Sequence, residues 1–242
     1  MNIGMQIYGL RNELEHDFEG TLAKVAAMGV TGVELFGAHK SASDTKAILA
    51  RLKLVPVAAH VTFDTLEADL EGQIARAKEI GAGILVCAWS KANDHQTWEQ
   101  IADALERHAQ ACNAQGLEYA YHNHDHELTE TVNGVPALDV IASRAPSLKL
   151  ELDTAWLHAG GVKPSAYLEK YADRTVLVHI KDLRKTATGW ETVELGQGEV
   201  DLADTITAAQ KTSSQWLLLE QDNSPTPLES HGRNAVWLKA NF

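Results

Sequence analysis

Short apolar runs alternate along the chain with longer stretches in which apolar residues recur at helical spacing. The runs are rich in β-branched residues, as buried strands are. Eight can be counted: NIGMQIY, GVELF, VPVAAHV, ILVCAW, LEYAYHN, LKLELDT, TVLVHIK and WLLLEQ. Stretches of helical period, such as FEGTLAKVAAMG, TLEADLEGQIARAKEIG and HQTWEQIADALERHAQACNAQG, lie between them. This alternation predicts βαβ units and a parallel sheet.

Several predicted helices end at a glycine, which readily adopts the left-handed conformation that closes a helix. Gly29, Gly81 and Gly116 hold that position. Eight strand–helix units in 242 residues give roughly 30 residues per unit, the size that a (β/α)8 barrel needs. We therefore predict a single TIM-barrel domain over residues 1–242, with a doubly wound open sheet as the competing α/β fold.

Ionisable residues stand at or near the end of most apolar runs. In a (β/α)8 barrel the active site lies at the carboxyl ends of the strands, so such residues are expected to converge there. The residues in these positions are Glu34, His60, His122, His124, Asp153, His179, Lys181 and Glu220. This convergence favours the barrel. In addition, LGQGEVDL lacks the third glycine of a dinucleotide-binding loop and follows no clear strand.

Composition narrows the classes of function. Asp and Glu outnumber Lys and Arg by 33 to 21, a formal net charge of −12, and without a basic patch this disfavours nucleic acids and anionic membranes as partners. No apolar stretch approaches the roughly 18 residues of a membrane span, and MNIGMQIYGL lacks a signal-peptide pattern. Cys87 and Cys112 fit a reducing compartment better than a disulfide framework. We therefore expect a cytoplasmic protein, and a homo-oligomer is compatible with these features.

Carboxylates and imidazoles from different strands make a mixed oxygen and nitrogen site for a divalent ion such as Mn²⁺, Co²⁺, Mg²⁺ or Zn²⁺. Glu220 follows WLLL, where a carboxylate is costly to bury without a cation, a metal or hydrogen-bond partners. Two of the candidates also have ordinary structural explanations. Asp153 could cap the following turn, and His179 could be a core histidine bonded to backbone.

The segment YHNHDHEL, residues 121–128, concentrates three histidines and two acidic residues directly after an apolar run. His122, His124 and His126 recur at a spacing of two, so they lean to one face if the preceding LEYAY is a strand. A solvated loop that is rich in histidine by chance is the alternative.

These motifs resemble the sugar phosphate isomerase/epimerase family, which has a xylose isomerase-like barrel and includes inosose dehydratase, hydroxypyruvate isomerase and D-tagatose 3-epimerase. The resemblance runs nearly end to end and is carried by GVELFG, YHNHDHEL, ELDTAWLHAGG, VHIKDL, LGQGEVD and LLLEQDNSP. It implies one divalent metal held by a glutamate, an aspartate, a histidine and a second glutamate from successive strands. The aspartate matches Asp153, the histidine His179 and the final glutamate Glu220.

The first glutamate of that pattern is absent. Where many relatives read Glu-Asn-His, the chain reads His-Asn-His, with His122 in the place of the glutamate. His122 could replace the carboxylate as the fourth ligand, or Glu151 could supply it from the strand face that it shares with Asp153. In the epimerases of the family two metal-bound glutamates are thought to act as acid/base groups on opposite faces of the substrate, and only Glu220 matches that pair.

The resemblance and the site residues predict a metal-dependent isomerase or epimerase of a sugar or keto-sugar, working by proton transfer α to a carbonyl through a metal-stabilised enediolate. Loss of a β-hydroxyl would instead make it a dehydratase or lyase acting on an inosose or keto-glycoside. The predicted catalytic residues are Glu220, Lys181 and His122. The predicted substrate-binding residues are Glu34, His60, His124, Glu127, Trp156 and Lys181.

Two other classes compete with this prediction. A non-catalytic sugar-binding barrel would result if the histidine at position 122 had abolished catalysis. An enzyme of the endonuclease IV type would need a richer metal cluster and a basic DNA-facing surface, and the chain is strongly acidic. No basic cluster or glycine-rich phosphate loop stands late in a strand, so we expect a free sugar, keto-sugar or cyclitol as substrate.

Overall fold

The computed structural model describes all residues from 1 to 242. Eight parallel strands close into a barrel in which each strand pairs with its neighbours in sequence and β8 completes the ring against β1. The strands are β1 (Asn2–Gln6), β2 (Gly32–Phe36), β3 (Val55–Thr62), β4 (Ile84–Trp89), β5 (Glu118–His122), β6 (Lys149–Asp153), β7 (Thr175–Ile180) and β8 (Trp216–Leu219). Each coincides with one of the eight apolar runs. The predicted TIM barrel is confirmed, and an open sheet is excluded because the ring closes.

Helices cover the outside of the barrel and connect successive strands. They are α1 (Arg11–His16), α2 (Phe18–Ala27), α3 (Ala42–Leu52), α4 (Phe63–Ile80), α5 (Trp98–Ala114), α6 (His126–Thr129), α7 (Ala137–Arg144), α8 (Thr154–Ala159), α9 (Pro164–Lys170), α10 (Leu202–Ala209) and α11 (Pro227–Asn241). A 3-10 turn covers Tyr8–Leu10. Two short antiparallel hairpins pair Thr131–Val132 with Val135–Pro136 and Asp182–Thr186 with Gly189–Val193.

The predicted glycine caps are confirmed, since Gly29, Gly81 and Gly116 have φ values of 73°, 92° and 73°. The long helix α4 departs from the expected continuous helix. At Asp69 the backbone leaves helical geometry (φ −153°, ψ 61°), and the Asp69 carboxylate accepts a hydrogen bond of 3.0 Å from the backbone N–H of Gly72. Asp69 therefore caps a second helical segment. The apolar periodicity passes through this point without a break.

A small apolar cluster fills the lower part of the barrel and forms the floor beneath the polar strand ends. It contains Val57, Ala58, Ile84, Val86, Ala120, Leu177 and Leu218. Because side chains alternate along a strand, residues two positions further on point to the same interior. His60, His122, His179 and Glu220 each lie two positions after a member of this cluster. Strand alternation thus places these four side chains directly above the apolar cluster.

Candidate active site

The inward-facing residues at the carboxyl ends of the strands form one buried polar cluster. Strand register brings Asp153 beside His179 across β6 and β7, and His122 beside Glu151 across β5 and β6. Asp153, His179 and Glu151 have no exposed surface. Burying this many ionisable groups is tolerated only where charges are paired and hydrogen bonds are made.

Four potential metal ligands from four strands surround one point, and we call them the upper set: His122, Asp153, His179 and Glu220. One donor atom from each lies within 4.8 Å of the others. His179 Nδ1 is 2.9 Å from Glu220 Oε2, and His122 Nε2 is 3.4 Å from Asp153 Oδ2. Both ring nitrogens of His122 are buried without a hydrogen-bond partner.

The upper set fits a divalent cation. Two carboxylates and two imidazoles are the mixed oxygen and nitrogen donors that ions such as Mn²⁺, Co²⁺ and Zn²⁺ accept. Leaving a buried polar atom unsatisfied costs roughly 1–3 kcal/mol, and His122, which offers one nitrogen to this point, has no hydrogen-bond partner on either nitrogen. A bound cation would satisfy that nitrogen.

Lys181 places a buried ammonium group beside the upper set. Its Nζ lies 3.0 Å from Asp153 Oδ2, 2.9 Å from Glu220 Oε2 and 3.0 Å from Asp222 Oδ2. Burial opposes the charge, but these carboxylates outweigh burial and hold the pKa of Lys181 well above its usual value. The ammonium is therefore charged at neutral pH, and a metal in the upper set would share two carboxylates with it.

A second group, the lower set, consists of Glu34, His60, Glu151 and His179, again with donor atoms within 4.8 Å of one another. His179 Nε2 lies 2.7 Å from Glu34 Oε2, and His60 Nε2 lies 2.6 Å from Glu151 Oε2. Burial lowers the pKa of His60, but the charges of Glu34 and Glu151 outweigh it and raise that pKa to about 10. The two nitrogens of His179 thus face different sets.

This arrangement fixes the orientation of His179. A carboxylate that accepts from one ring nitrogen leaves the other nitrogen free as an acceptor or metal ligand, the usual arrangement behind metal-binding histidines. Glu34 holds Nε2, so Nδ1 is presented to the upper set. The same contacts separate the two candidates for the fourth ligand, because His122 lies in the upper set and Glu151 in the lower one.

Two carboxylates that were expected to contact substrate do not reach a cavity. Glu127 is buried, and its oxygens accept from Tyr121 Oη (2.6 Å) and from the backbone N–H of His124 (2.7 Å). Glu34 has no exposed surface and accepts from Gln6 Nε2 at 2.8 Å. Both carboxylates are engaged within the protein. Glu127 shapes the loop after β5, and Glu34 belongs to the lower set.

Of the other predicted substrate-binding side chains, His60, His124 and Trp156 lie around a cavity of about 750 Å³, which we call the reactive cavity. His122 and Glu220 also line it. A second cavity of about 820 Å³, the outer cavity, lies beside it and is mainly polar. Three residues, Trp156, Asp222 and Asn223, line both. The upper set therefore opens onto the reactive cavity. Lys181, which was also expected to contact substrate, is fully buried and lines neither cavity.

His126, outside the predicted contacts, donates its Nε2–H to the backbone oxygen of Ser90 (2.9 Å) and fastens the loop after β5. The motif LGQGEVD also has a structural role. Asp182 accepts from the backbone N–H groups of Gly196 (2.9 Å), Gly198 (2.8 Å) and Val200 (3.1 Å). The motif thus folds around a carboxylate that follows β7.

Sequence reasoning did not identify Asp222 as a member of the site. Its position in the sequence could have identified it. Asp222 follows Glu220 by two residues, so in an extended chain its side chain points to the same face, just beyond the end of β8. Nor did the sequence show that the Glu34 and His60 side chains meet beneath the upper set. Their strands are neighbours, but the approach of Glu34 to His179 crosses the barrel interior.

Sequence comparison matches residues 22–241 to the family described as xylose isomerase-like TIM barrel. The chain belongs to this family. Inosose dehydratase of Geobacillus kaustophilus (strain HTA426) is 36% identical over 88 residues, which are 36% of this chain and 28% of the relative. Inosose dehydratase of Clostridium beijerinckii (strain ATCC 51743 / NCIMB 8052) is 28% identical over 99 residues, 41% of this chain and 33% of the relative. The chain spans about a third of the length of these two curated relatives.

Solved structures of the same fold cover nearly the whole chain. A sugar phosphate isomerase/epimerase from Parabacteroides distasonis ATCC 8503 superposes with a TM-score of 0.83 at 22% identity, covering 99% of this chain and 98% of the other. The IOLI protein with a bound zinc atom gives 0.77 at 18% identity, covering 98% and 94%. The probable 3-DHS dehydratase AsbF from Bacillus anthracis gives 0.78 at 14% identity, covering 99% of each.

The family resemblance expected from the motifs is thus confirmed. The curated relatives reported above are inosose dehydratases, and one structure of similar fold is that of a sugar phosphate isomerase/epimerase. None of the helices in the structure combines the length and the hydropathy that a membrane span requires. Neither cysteine forms a disulfide, and both are buried.

Proposed function

We propose that the protein is a divalent-metal-dependent enzyme that transfers the proton α to the carbonyl of a keto-sugar or keto-cyclitol. One observation carries this proposal. The upper set brings two carboxylates and two imidazoles to the wall of a large cavity, and the imidazole of His122 has no hydrogen-bond partner. An acid/base group beside a cation site is what enolisation of a carbonyl compound requires.

Asp153, His179 and Glu220 would hold the ion. His122 would supply the fourth ligand, because Glu151 is engaged 2.6 Å from His60 in the lower set. When bound, a divalent ion polarises the carbonyl oxygen of a substrate as a Lewis acid. The zinc atom in the IOLI protein supports a divalent ion here.

The chain supplies the proton-transferring groups. Burial opposes ionisation of Glu220, but Lys181 and His179 outweigh burial and hold its pKa below the usual value, so the carboxylate is ionised and can accept a proton. The Lys181 ammonium, 2.9 Å from Glu220 Oε2, is a proton donor directly beside this base. Burial, together with the neighbouring His122 and the Lys181 ammonium, holds the pKa of His124 well below its usual value. His124 is thus a neutral hydrogen-bonding group at neutral pH.

Isomerisation or epimerisation is the first candidate reaction, in which the proton returns to the substrate. The structural similarity to a sugar phosphate isomerase/epimerase supports it. Elimination of a β-hydroxyl is the second candidate. The curated relatives are inosose dehydratases, and only one carboxylate of the epimerase acid/base pair is present here, which is sufficient for an elimination that uses Glu220 as base and Lys181 as acid.

The test is solvent exchange at the α-carbon. Ketoses, keto-glycosides and inososes are incubated with the Mn²⁺-loaded protein in D₂O and followed by proton NMR. We expect at least one compound to gain deuterium at the α-carbon, and the product formed beside it distinguishes isomerase, epimerase and dehydratase. No exchange in any compound would overturn the proposal in favour of a sugar-binding barrel.

A further inference from the structure

Gln6, the last residue of β1, is a buried amide that takes no part in the chemistry proposed above. It has no exposed surface and is paired in register with Glu34 on β2. Its side-chain Nε2 donates to Glu34 Oε2 at 2.8 Å. A buried amide is tolerated only where its hydrogen bonds are made. The contacts of this amide therefore indicate its role.

The backbone determines which end of the Gln6 amide meets Glu34. The backbone N–H of Tyr8 donates to Gln6 Oε1 at 2.9 Å. Because a backbone N–H can only donate, the oxygen of the amide must face Tyr8 and the nitrogen must face Glu34. Gln6 therefore presents a neutral donor to the carboxylate in one defined orientation.

The same oxygen of Glu34 also accepts from His179. Glu34 Oε2 lies 2.7 Å from His179 Nε2 and 3.1 Å from His60 Nε2, whereas Glu34 Oε1 is buried without a hydrogen-bond partner. The terminal torsion of a glutamate is soft, which leaves a carboxylate free to turn between two imidazole neighbours. The bond from Gln6 restricts that rotation and keeps Oε2 directed at His179.

We propose that Gln6 is a positioning residue for the metal centre and acts through Glu34 on the His179 ring. The Tyr8 N–H orients the Gln6 amide, and the amide orients the Glu34 carboxylate. That carboxylate holds Nε2 of the His179 ring, so Nδ1 faces the upper set. This inference rests on the proposed function, because it concerns the ion of the same site.

Metal affinity measured across a double-mutant cycle tests the inference. Gln6→Met keeps the length of the side chain but removes its donor and acceptor, and Glu34→Leu removes the carboxylate. The Kd for Mn²⁺ is measured by chelator competition for the wild type, both single variants and the double variant. We expect Glu34→Leu to raise Kd about 10- to 100-fold, as removal of a partner that orients a metal ligand usually does. Gln6→Met should raise it about 5- to 10-fold, the scale of one buried hydrogen bond.

In the double variant, Gln6→Met should add nothing to the effect of Glu34→Leu, because the amide then has no carboxylate to hold. Tyr119→Phe is the matched control. Its hydroxyl is also buried and hydrogen-bonded, 3.1 Å from His108 Nδ1, but it packs against α5 outside the barrel. Tyr119→Phe should leave the Kd for Mn²⁺ unchanged, and urea unfolding compares its stability with that of Gln6→Met.

The visible absorption of the Co²⁺-loaded protein gives a second measurement, which does not depend on the folding of Glu34→Leu. This absorption reports the geometry of the ligands around the ion. Gln6→Met should shift or broaden the band because the His179 ring is no longer held in one orientation. Tyr119→Phe should give the spectrum of the wild type.

A Kd and a Co²⁺ spectrum unchanged by Gln6→Met would overturn the inference, and so would equal losses of affinity in Gln6→Met and Tyr119→Phe. Additive effects of Gln6→Met and Glu34→Leu would also overturn it, because Gln6 would then act by another route. A wild type that binds no divalent ion would refute the proposed function as well. Tight binding that is insensitive to Gln6→Met would refute only the role of this residue.

Discussion

The two sides of the barrel mouth are built from the same strand-and-helix units but differ in the contacts that their side chains make. On the side of β5 to β8, ionisable side chains point inward and neutralise one another, as Lys181 does with Asp153 and Glu220 at 3.0 and 2.9 Å. On the side of β2 to β4, the cavity also reaches outward-facing residues such as Leu35 and Ala59. Charged contacts depend on distance and partner, whereas apolar contacts depend mainly on shape.

This difference predicts unequal tolerance to substitution. Removing one charge on the β5–β8 side leaves its partner buried and uncompensated, which is strongly unfavourable. Removing an apolar side chain on the β2–β4 side loses only contact area, and the loss is graded. The first three predictions below test the charged side of the mouth. The last concerns a buried histidine outside the barrel, between α4 and α5.

The largest effect is expected for Glu220→Gln. It removes the proposed base while preserving shape, so the α-proton exchange rate should fall by a factor on the order of 100 or more. Exchange is followed by NMR in D₂O, with Glu194→Gln, in the wall of the outer cavity, as the control. Exchange that is unaffected by Glu220→Gln would remove this residue from its assigned role.

Next comes Asp153→Asn, which takes one negative charge from the upper set. The Kd for Mn²⁺ should rise by at least about 10- to 100-fold. That is the usual loss of metal affinity when a residue that only orients a metal ligand is removed, and removing the ligand itself should weaken binding at least as much. Competition with a chelator and elemental analysis of protein purified without chelator provide the measurement. Asp103→Asn, at an exposed ion pair with Arg144, is the control. Unchanged metal content in both Asp153→Asn and Glu220→Ala would place the ion elsewhere.

A smaller and more discriminating effect separates His122 from Glu151. We expect His122→Ala to weaken Mn²⁺ binding more than Glu151→Ala does, because His122 is in the upper set and Glu151 contacts His60. The same chelator competition compares the two. The reverse order would make Glu151 the fourth ligand, and negligible losses in both would mean that water completes the coordination shell.

The smallest effect concerns His108 on α5, whose Nε2 lies 2.6 Å from Glu67 on α4. Burial lowers the pKa of His108 below its usual 6.5, although Glu67 opposes the shift. Between the folded and unfolded pKa values the unfolded chain binds more protons, so stability rises with pH there. The contribution of His108 is complete above pH 6.5 and is lost as the pH falls through the folded value.

Urea unfolding at pH 7.5 and pH 5.5 measures this contribution. His108→Gln should lose less free energy of unfolding than the wild type on going to the lower pH. The raised pKa of His60 acts with the opposite sign, but it is common to both proteins and cancels in the comparison. Equal losses would show that His108 is not the responsible group.

The sequence by itself determined the strands and the direction of their side chains. Alternating and helical periodicities are local properties, so eight apolar runs sufficed for the barrel. Glycine caps such as Gly81 marked helix ends because a positive φ is a local requirement. Asp153, His179 and Glu220 could be placed at one end of the barrel for the same reason, since each ends or follows a strand.

Only the tertiary structure decided how those side chains share their contacts. Which nitrogen of His179 meets Glu34 depends on a distance across the barrel between residues far apart in sequence. Whether Glu127 faces a ligand or Tyr121 depends on how the loop after β5 folds back. The pairing of Lys181 with Asp222 likewise joins residues from two different strand ends. Ring closure sets these approaches, and no periodicity along the chain encodes them.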